Sequence, residues 1–280
     1  MLPDHPPPPI VLTTDFGAAD PCVGMMKGVI YGINPRAVVI DLTHHVPPQD
    51  LRRAAFILAT SYRYFPSGAI HVAVVDPGVG TQRRALLVAT PTACFLAPDN
   101  GVLSYVLPRP GETSQVSSGL HPVPPGCAAY QLTKPDYWLH PVSSTFHGRD
   151  IFAPVAAHLS LGVAPEVLGT PVADLVWLPS LQPARLGSAI LGEVLYADHF
   201  GNLVTNISTE DLTGLPVLHV EIKGRSIPRL SRTFHDRGTP AGGLVAFFGS
   251  HGYLEIARPD GSAAAFLSVA AGEPVRVSVG

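Results

Sequence analysis

The chain has 280 residues, enough for two domains of ordinary size, and only 14% of them are charged, against roughly 25% in average globular domains. A net charge of -3 with histidine neutral, and no run of Lys or Arg longer than two, leaves no basic footprint for a nucleic-acid partner. Three cysteines without C-x-x-C spacing exclude a disulfide framework or thiolate zinc site and point to a reducing, cytoplasmic home, while the low charge predicts surfaces covered by further copies of the chain.

Five prolines among residues 1–9 predict an extended, mobile tail. This start has no basic segment followed by an apolar core, so it does not read as a signal peptide, and no later apolar run approaches the roughly 20 residues of a membrane span. Apolar, β-branched runs then predict strands at Ile10–Thr13, Val38–Leu42, Ile70–Val75 and Ala85–Ala89. Between and after them, helical patterning covers Cys22–Ile33, closed by Asn34-Pro35, then Gln49–Tyr64, closed by Phe65-Pro66-Ser67-Gly68, and Phe152–Leu161. Strand alternating with helix predicts an open α/β domain with a parallel sheet over 10–178. The Pro-, Gly- and Ser-rich stretch Pro108–Gly126 reads as a surface loop of weak order. After Gly187 the helical pattern disappears and short strands recur between turns, which predicts a small all-β domain over 188–280.

Four clusters carry polar chemistry. Thr13-Thr14-Asp15-Phe16-Gly17 stands where the first strand ends, the place where open α/β sheets bind ligands. Asp15 can accept two hydrogen bonds from a ribose diol, or it can cap the helix that starts near Cys22. Val75-Asp76-Pro77-Gly78-Val79-Gly80-Thr81-Gln82-Arg83-Arg84 follows another strand but matches neither a phosphate loop nor a dinucleotide fingerprint, and on spacing alone it is equally a turn with a solvated arginine pair. Ser143-Ser144-Thr145-Phe146-His147-Gly148-Arg149-Asp150 holds more polar groups at a helix entrance than one cap requires. Arg149 and Asp150 read as a structural pair, since a kinase-like loop fails on spacing and lacks its downstream partner.

In the β-rich half, Asp198-His199-Phe200-Gly201-Asn202 offers a ring to stack on a flat heterocycle and an amide to read its edge, or a turn in which Asn202 satisfies the backbone. Gly249-Ser250-His251-Gly252-Tyr253-Leu254-Glu255-Ile256-Ala257-Arg258 is a hairpin or a second purine-reading edge. Among twelve histidines no metal-ligand spacing occurs, and neighbours such as His44 and His45 on a strand point to opposite faces.

Taken in order, T-T-D-F-G at 13–17, G-M-M-K-G-V-I at 24–30, I-D-L-T-H at 40–44, V-D-P-G-V-G-T at 75–81, A-P-D-N-G at 97–101, S-T-F-H-G-R-D-I-F-A-P at 144–154 and F-G-N-L-V-T-N at 200–206 resemble the S-adenosylmethionine (SAM) hydroxide adenosyltransferase family, whose relatives include fluorinating and chlorinating enzymes. The resemblance implies a Rossmann-like α/β domain followed by a C-terminal β-barrel, in a homotrimer with substrate held between subunits. It implies hydrolysis of SAM to adenosine and methionine, with SAM as substrate and neither cofactor nor metal. The catalytic set it implies is Asp76, Arg83 and His147, with Arg84 the less fitting arginine. Substrate contacts carry over to Asp15, Asp20, Phe146, Gly148, Asp198, Phe200, Asn202, Ser250, Glu255 and Arg258. Halogenating relatives carry aromatic residues where Asp76 and His147 stand and a halide-holding serine at Gly148, so these positions favour water. Cys22 departs from the family, standing where an aromatic is common. The other readings to be discriminated are a halogenase, a metal-dependent hydrolase and a nucleoside-binding protein without turnover.

In the mechanism that follows from this set, Arg83 holds a water by charge-assisted hydrogen bonds, Asp76 fixes the guanidinium, and His147 accepts the proton.

Overall fold

The computed structural model describes residues 7–109, 116–236 and 242–280. Residues 1–6 of the expected tail and 110–115 of the expected surface loop lie outside that set. Two compact units result, Met1–Pro179 and Ser180–Gly280.

In the first unit, β1 (Ile10–Thr14), α1 (Cys22–Ile33), β2 (Val39–Thr43), α2 (Leu51–Ser61) and β3 (Ala69–Val74) alternate as expected. They continue through β4 (Ala85–Ala89), β5 (Ala93–Pro98), β6 (Gly119–Pro122), β7 (Ala128–Leu132), α3 (Ala153–Ser160), α4 (Pro165–Leu168), β8 (Gly169–Pro171) and β9 (Asp174–Trp177). Every residue of β1 and β3 is buried, because both faces of a parallel strand are covered, and their sequences are accordingly mostly apolar. One face carries Ile70, Val72 and Val74 against Met26, Ile30, Phe152 and Val155 of the helical layer. The other carries Ala73 and Val75 against Ala54 and Leu58 of α2.

The main sheet runs β2-β1-β3-β5-β4-β7-β8. It is parallel from β2 to β5 and antiparallel from there on, which corrects the expectation of a parallel sheet. The connection from β4 to β5 is three residues, 90–92, too short for a crossover, so the chain can only return as a hairpin. β6 pairs with β9, so the stretch Pro108–Gly126 is not loop throughout.

Helix α2 is shorter than expected. The Asp50 carboxylate accepts a hydrogen bond from the Arg53 amide at 3.0 Å and starts it, and a 3-10 turn over Tyr62–Tyr64 ends it. Such a cap stabilises a helix by about 1 kcal/mol.

The second unit is antiparallel. β10 (Ala184–Leu186), β11 (Ala189–Ala197), β12 (Leu203–Ser208), β13 (Val217–Ile222), β14 (Arg225–Ile227), β15 (Val245–Phe248), β16 (Tyr253–Ala257) and β17 (Pro274–Val279) form one sheet with α5 (Ala263–Leu267) packed on it. Its order is β14-β13-β17-β11-β12-β16-β15, and a bridge between Leu230 and Ala246 brings the two edges together. The result is the barrel-like sheet that the family resemblance implies, closed over a core that includes Val194, Ile207, Ile222, Leu254 and Val277.

His71 interrupts the apolar run of β3. It is fully buried, stacks on Phe95 at 5.2 Å and meets Phe65 edge-on at 5.3 Å, and neither ring nitrogen has a hydrogen-bond partner among the described residues. Burial pushes its pKa down from 6.5 to about 4. Above pH 6.5 the imidazole is neutral in both folded and unfolded chains. Between 6.5 and 4 only the unfolded chain binds the proton, so stability falls with falling pH, by roughly 3 kcal/mol over the window. Urea unfolding at pH 7 and pH 4.5 is therefore expected to show a larger acid loss in wild type than in His71→Phe. Equal losses in both proteins would place the acid sensitivity elsewhere.

Candidate active site

β1 and β3 are parallel neighbours, so the loops after them leave the same edge of the sheet, beside the point where the strand order reverses. Asp76 lies two residues beyond β3, and Arg83 returns to it seven residues later. The Arg83 Nε lies 3.0 Å from both carboxylate oxygens of Asp76, and Nη2 donates to Oδ2 as well. The same Nη2 lies 2.8 Å from Nδ1 of His147, which arrives from the loop before α3. Asp76, Arg83 and His147 thus form one contiguous cluster, with the side chains of Arg83 and Asp76 only 10% and 5% exposed. The guanidinium also stands 5.7 Å above the ring of Phe152.

Burial first, and the Arg83 charge next, hold the His147 imidazole below its ordinary pKa, against smaller opposing pulls from Asp76 and Asp150. Burial and the Arg83 charge both favour the neutral ring.

Local structure enforces this meeting. Gly80 has φ of +77°, and a Cβ there would run into the Ser144 carbonyl oxygen, so the two loops touch through a position only glycine fits. Beyond His147, a π-helical turn over Gly148–Phe152 leads into α3, a local departure common at functional sites. Buried Asp150 holds that turn: it accepts from the Ser143 amide at 2.8 Å and pairs with Arg149 at 2.6 Å, the structural role expected of this pair.

The two arginines separate cleanly. Arg84 is bound to Asp99 at 2.6 Å and to Asp174 at 2.9 Å, which ties β4 to β9 and leaves it outside the cluster.

At the end of β1, Asp15 does not cap α1, whose first turn has no side-chain cap. Its Oδ2 accepts the Gln49 amide at 2.9 Å, and Gln49 holds a left-handed φ of +65°. Phe16 meets Phe146 edge-on at 5.7 Å. Gly148 lies beneath both rings, where a Cβ would approach Phe146 and the Met26 sulfur at 3.3 Å. Asp20 is exposed just before α1.

Sequence reasoning missed a supporting network here. Thr14 Oγ1 lies 2.9 Å from His44 Nδ1, His44 Nε2 lies 2.9 Å from Asp41, and Lys27 reaches Asp41 at 2.6 Å. The Gly17 amide donates to the His44 carbonyl at 2.8 Å, so this network fixes the 13–17 loop to the end of β2. The I-D-L-T-H block contained its Asp41 and His44, but nothing local paired them with Thr14.

In the second unit the Asp198 carboxylate accepts from the Phe200 amide at 2.9 Å, the Asn202 amide at 2.8 Å and the Asn202 side chain at 2.8 Å. Asp198 therefore organises the turn that presents Phe200, which is 75% exposed. Phe200, Asn202 and Arg258 line a cavity of about 550 Å³ together with Phe234, His235 and Ser262. Phe234 and His235 were not legible, since their segment has neither motif nor periodicity. Ser250 and Glu255 do not line this cavity. Glu255 pairs with His251 at 3.0 Å within the β15–β16 hairpin, and Ser250 is exposed beside them. Among the described residues, no three His, Cys, Asp or Glu side chains converge as metal ligands, and no helix is long and apolar enough to cross a membrane.

An α/β unit with a carboxylate–guanidinium–imidazole cluster at its strand ends, followed by a barrel-like unit with an aromatic cavity, is the architecture of an enzyme acting on a flat, polar small molecule. Residues 10–169 match the SAM hydroxide adenosyltransferase N-terminal domain and residues 192–276 the C-terminal domain, so the chain belongs to that family. It is 42% identical to an (R)-S-adenosyl-L-methionine hydrolase of Thermus thermophilus, covering 96% of this chain and 99% of the relative. Identity is 41% to a protein of the same name from Salinispora arenicola, over 98% of each chain, and 28% to a fluorinase of Nocardia brasiliensis, over 98% and 97%. An uncharacterized protein of Thermotoga maritima has the same fold, with a TM-score of 0.83 and 33% identity over 96% of this chain and 99% of that one.

Gly80→Ala is expected to lower the melting temperature and detach His147 from Arg83, since the new methyl meets backbone rather than a movable side chain. Unchanged melting in this variant would mean that the two loops pack loosely.

Proposed function

We propose that this chain hydrolyses S-adenosyl-L-methionine to adenosine and L-methionine, through attack of water on C5′ of the ribose. The observation that carries the reading is the Asp76–Arg83–His147 cluster, held together by hydrogen bonds at the sheet edge. The names of the most similar relatives support the same reaction, and fluorinases are more distant in sequence.

The sulfonium leaves as a neutral thioether, so the reaction needs no leaving-group acid and no Lewis acid. It needs a nucleophile placed in line with the C–S bond, and positioning of this kind supplies a large part of enzymatic rate. Arg83 is suited to hold that water. Nε and Nη2 are bound to Asp76 and His147, while Nη1 has no hydrogen-bond partner among the described residues. Asp15 at the end of β1 is placed for the ribose diol, its Oδ1 being clear of the Gln49 amide. Phe200, Asn202 and Arg258 are suited to the adenine, the rings of Phe200 and Phe234 giving it aromatic faces to stack on. Gly148 adds no hydroxyl for a halide. The same reading includes a cytoplasmic homotrimer, supported by the family resemblance and the low charge content.

Purified protein incubated with the (R)-sulfonium epimer of SAM, the one in the relatives' names, is expected to release adenosine on chromatography, unaffected by EDTA and without 5′-halo-adenosine in chloride or fluoride. Arg83→Ala should slow release by roughly 10²–10³ through the lost donor, while Arg84→Ala lowers stability instead. Halo-adenosine formed as fast as adenosine would return the halogenase reading, and tight SAM binding without turnover would make the chain a binder.

Light scattering of the active protein is expected to give three times the 29.5 kDa chain mass. A monomer with full turnover would refute a site shared between subunits.

A further inference from the structure

We propose that His147 acts in this reaction as a hydrogen-bond donor through Nε2, not as the base, and that the proton of the attacking water leaves to Asp76. The inference rests on the hydrolytic reading, and it follows from the direction of one hydrogen bond.

A guanidinium has only donors. The contact of 2.8 Å between Arg83 Nη2 and His147 Nδ1 therefore requires Nδ1 to present a lone pair. A neutral imidazole with a bare Nδ1 carries its proton on Nε2. Arg83 is in turn held by three contacts to Asp76, which leave it little freedom to turn away. Protonating Nδ1 would set an N–H against the N–H of Arg83, in agreement with the lowered affinity of His147 for a second proton. The charged groups acting on the ring are Arg83, Asp76 and Asp150, and of the two carboxylates Asp150 is already bound to Arg149 and the Ser143 amide. Among the described residues Nε2 has no hydrogen-bond partner, so its N–H is available to whatever occupies the site.

The chemistry does not require a histidine base. As a lone pair of water forms the O–C5′ bond, the C5′–S bond breaks and its electron pair stays on sulfur, which becomes a neutral thioether. The oxygen product is at that moment a protonated alcohol, a far stronger acid than a carboxylic acid, so a carboxylate is base enough to take its proton. Asp76 is the cluster's one carboxylate, and its Oδ1 accepts only the Nε contact and keeps a further lone pair. Nε2–H of His147 and Nη1–H of Arg83 then converge on one lone pair of the water oxygen, and its other, reactive lone pair faces C5′.

Two measurements test this. In resting enzyme with 15N-labelled histidine at neutral pH, the His147 resonances, assigned by their loss in His147→Ala, are expected to show a protonated Nε2 and a bare Nδ1. The opposite tautomer would overturn the proposal, and because no substrate is present this result stands apart from whether SAM is hydrolysed. In turnover, His147→Ala should lose roughly 10²–10³. His147→Gln keeps both an acceptor for Arg83 and an amide donor near the Nε2 position, and is expected to recover to within about tenfold of wild type. His147→Asn lacks the reach and should not recover. A glutamine variant as impaired as alanine, with adenosine affinity and melting temperature preserved, would restore His147 as the base, whose loss typically costs 10²–10⁴. Asp76→Asn can still accept from Arg83 but cannot take the proton, so wild-type turnover in that variant would remove Asp76 from the proton path.

Discussion

An arginine side chain can donate hydrogen bonds and cannot accept them, and in this protein one guanidinium fixes both the geometry and the protonation of its neighbours. Arg83 is bound edge-on by Asp76 and passes its direction on to Nδ1 of His147. Its planar fork is what makes this possible: two nitrogens meet one carboxylate, the second reaches the imidazole as well, and the third is left pointing away. A lysine at the same place would give one ammonium in place of the fork. It could pair with Asp76, but it lacks the fixed fork that meets the carboxylate and the ring together and keeps a separate nitrogen for a water.

The rest of the first unit can be understood as what brings Asp76 and His147 to that fork. Parallel pairing of β1 and β3 puts Asp15 and Asp76 on one edge. Gly80 lets the 76–84 loop touch the 143–147 loop through backbone. Buried Asp150 takes the Ser143 amide and the Arg149 guanidinium, so the turn carrying His147 is held from behind. Arg84, adjacent in sequence to Arg83, points into a different ion pair and fastens β4 to β9. Neighbouring residues of one extended segment alternate sides, which is why two consecutive arginines have unrelated roles.

That alternation also marks what the sequence could and could not reveal. The buried runs of β1, β3 and β4 were legible because a strand covered on both faces is mostly apolar. The sheet's change to antiparallel pairing was not legible, because pairing direction depends on where a three-residue turn returns the chain. Spacing alone left the 75–84 loop evenly open between an ordinary turn and a site, and the choice of Asp76, Arg83 and His147 came from family resemblance. Their mutual contact spans 64 residues between Arg83 and His147, and such a pair has no local signature. The network of Thr14, His44, Asp41 and Lys27 escaped for the same reason, as did Phe234 and His235 in the second unit. Asp198 shows the reverse case. Its place in a motif suggested a ligand contact, and the structure adds a role in the turn itself, where its carboxylate accepts three hydrogen bonds.

Charge balance in the cluster also bears on why water rather than halide suits the site. With His147 neutral, Asp76 and Arg83 sum to zero, so a nucleophile meets directed dipoles and no net positive charge. A halide entering would give up its hydration with no cation of the protein left uncompensated to receive it, only the substrate's own sulfonium, and would stand beside the Asp76 carboxylate. Water gives up only hydrogen bonds that Arg83 and His147 can replace. Protonation of His147 would shift the balance to a net positive cluster and favour an anion, but the Arg83 donor aimed at Nδ1 opposes that state. Selectivity among nucleophiles and the tautomer of His147 therefore have a common origin in the direction of a single N–H bond.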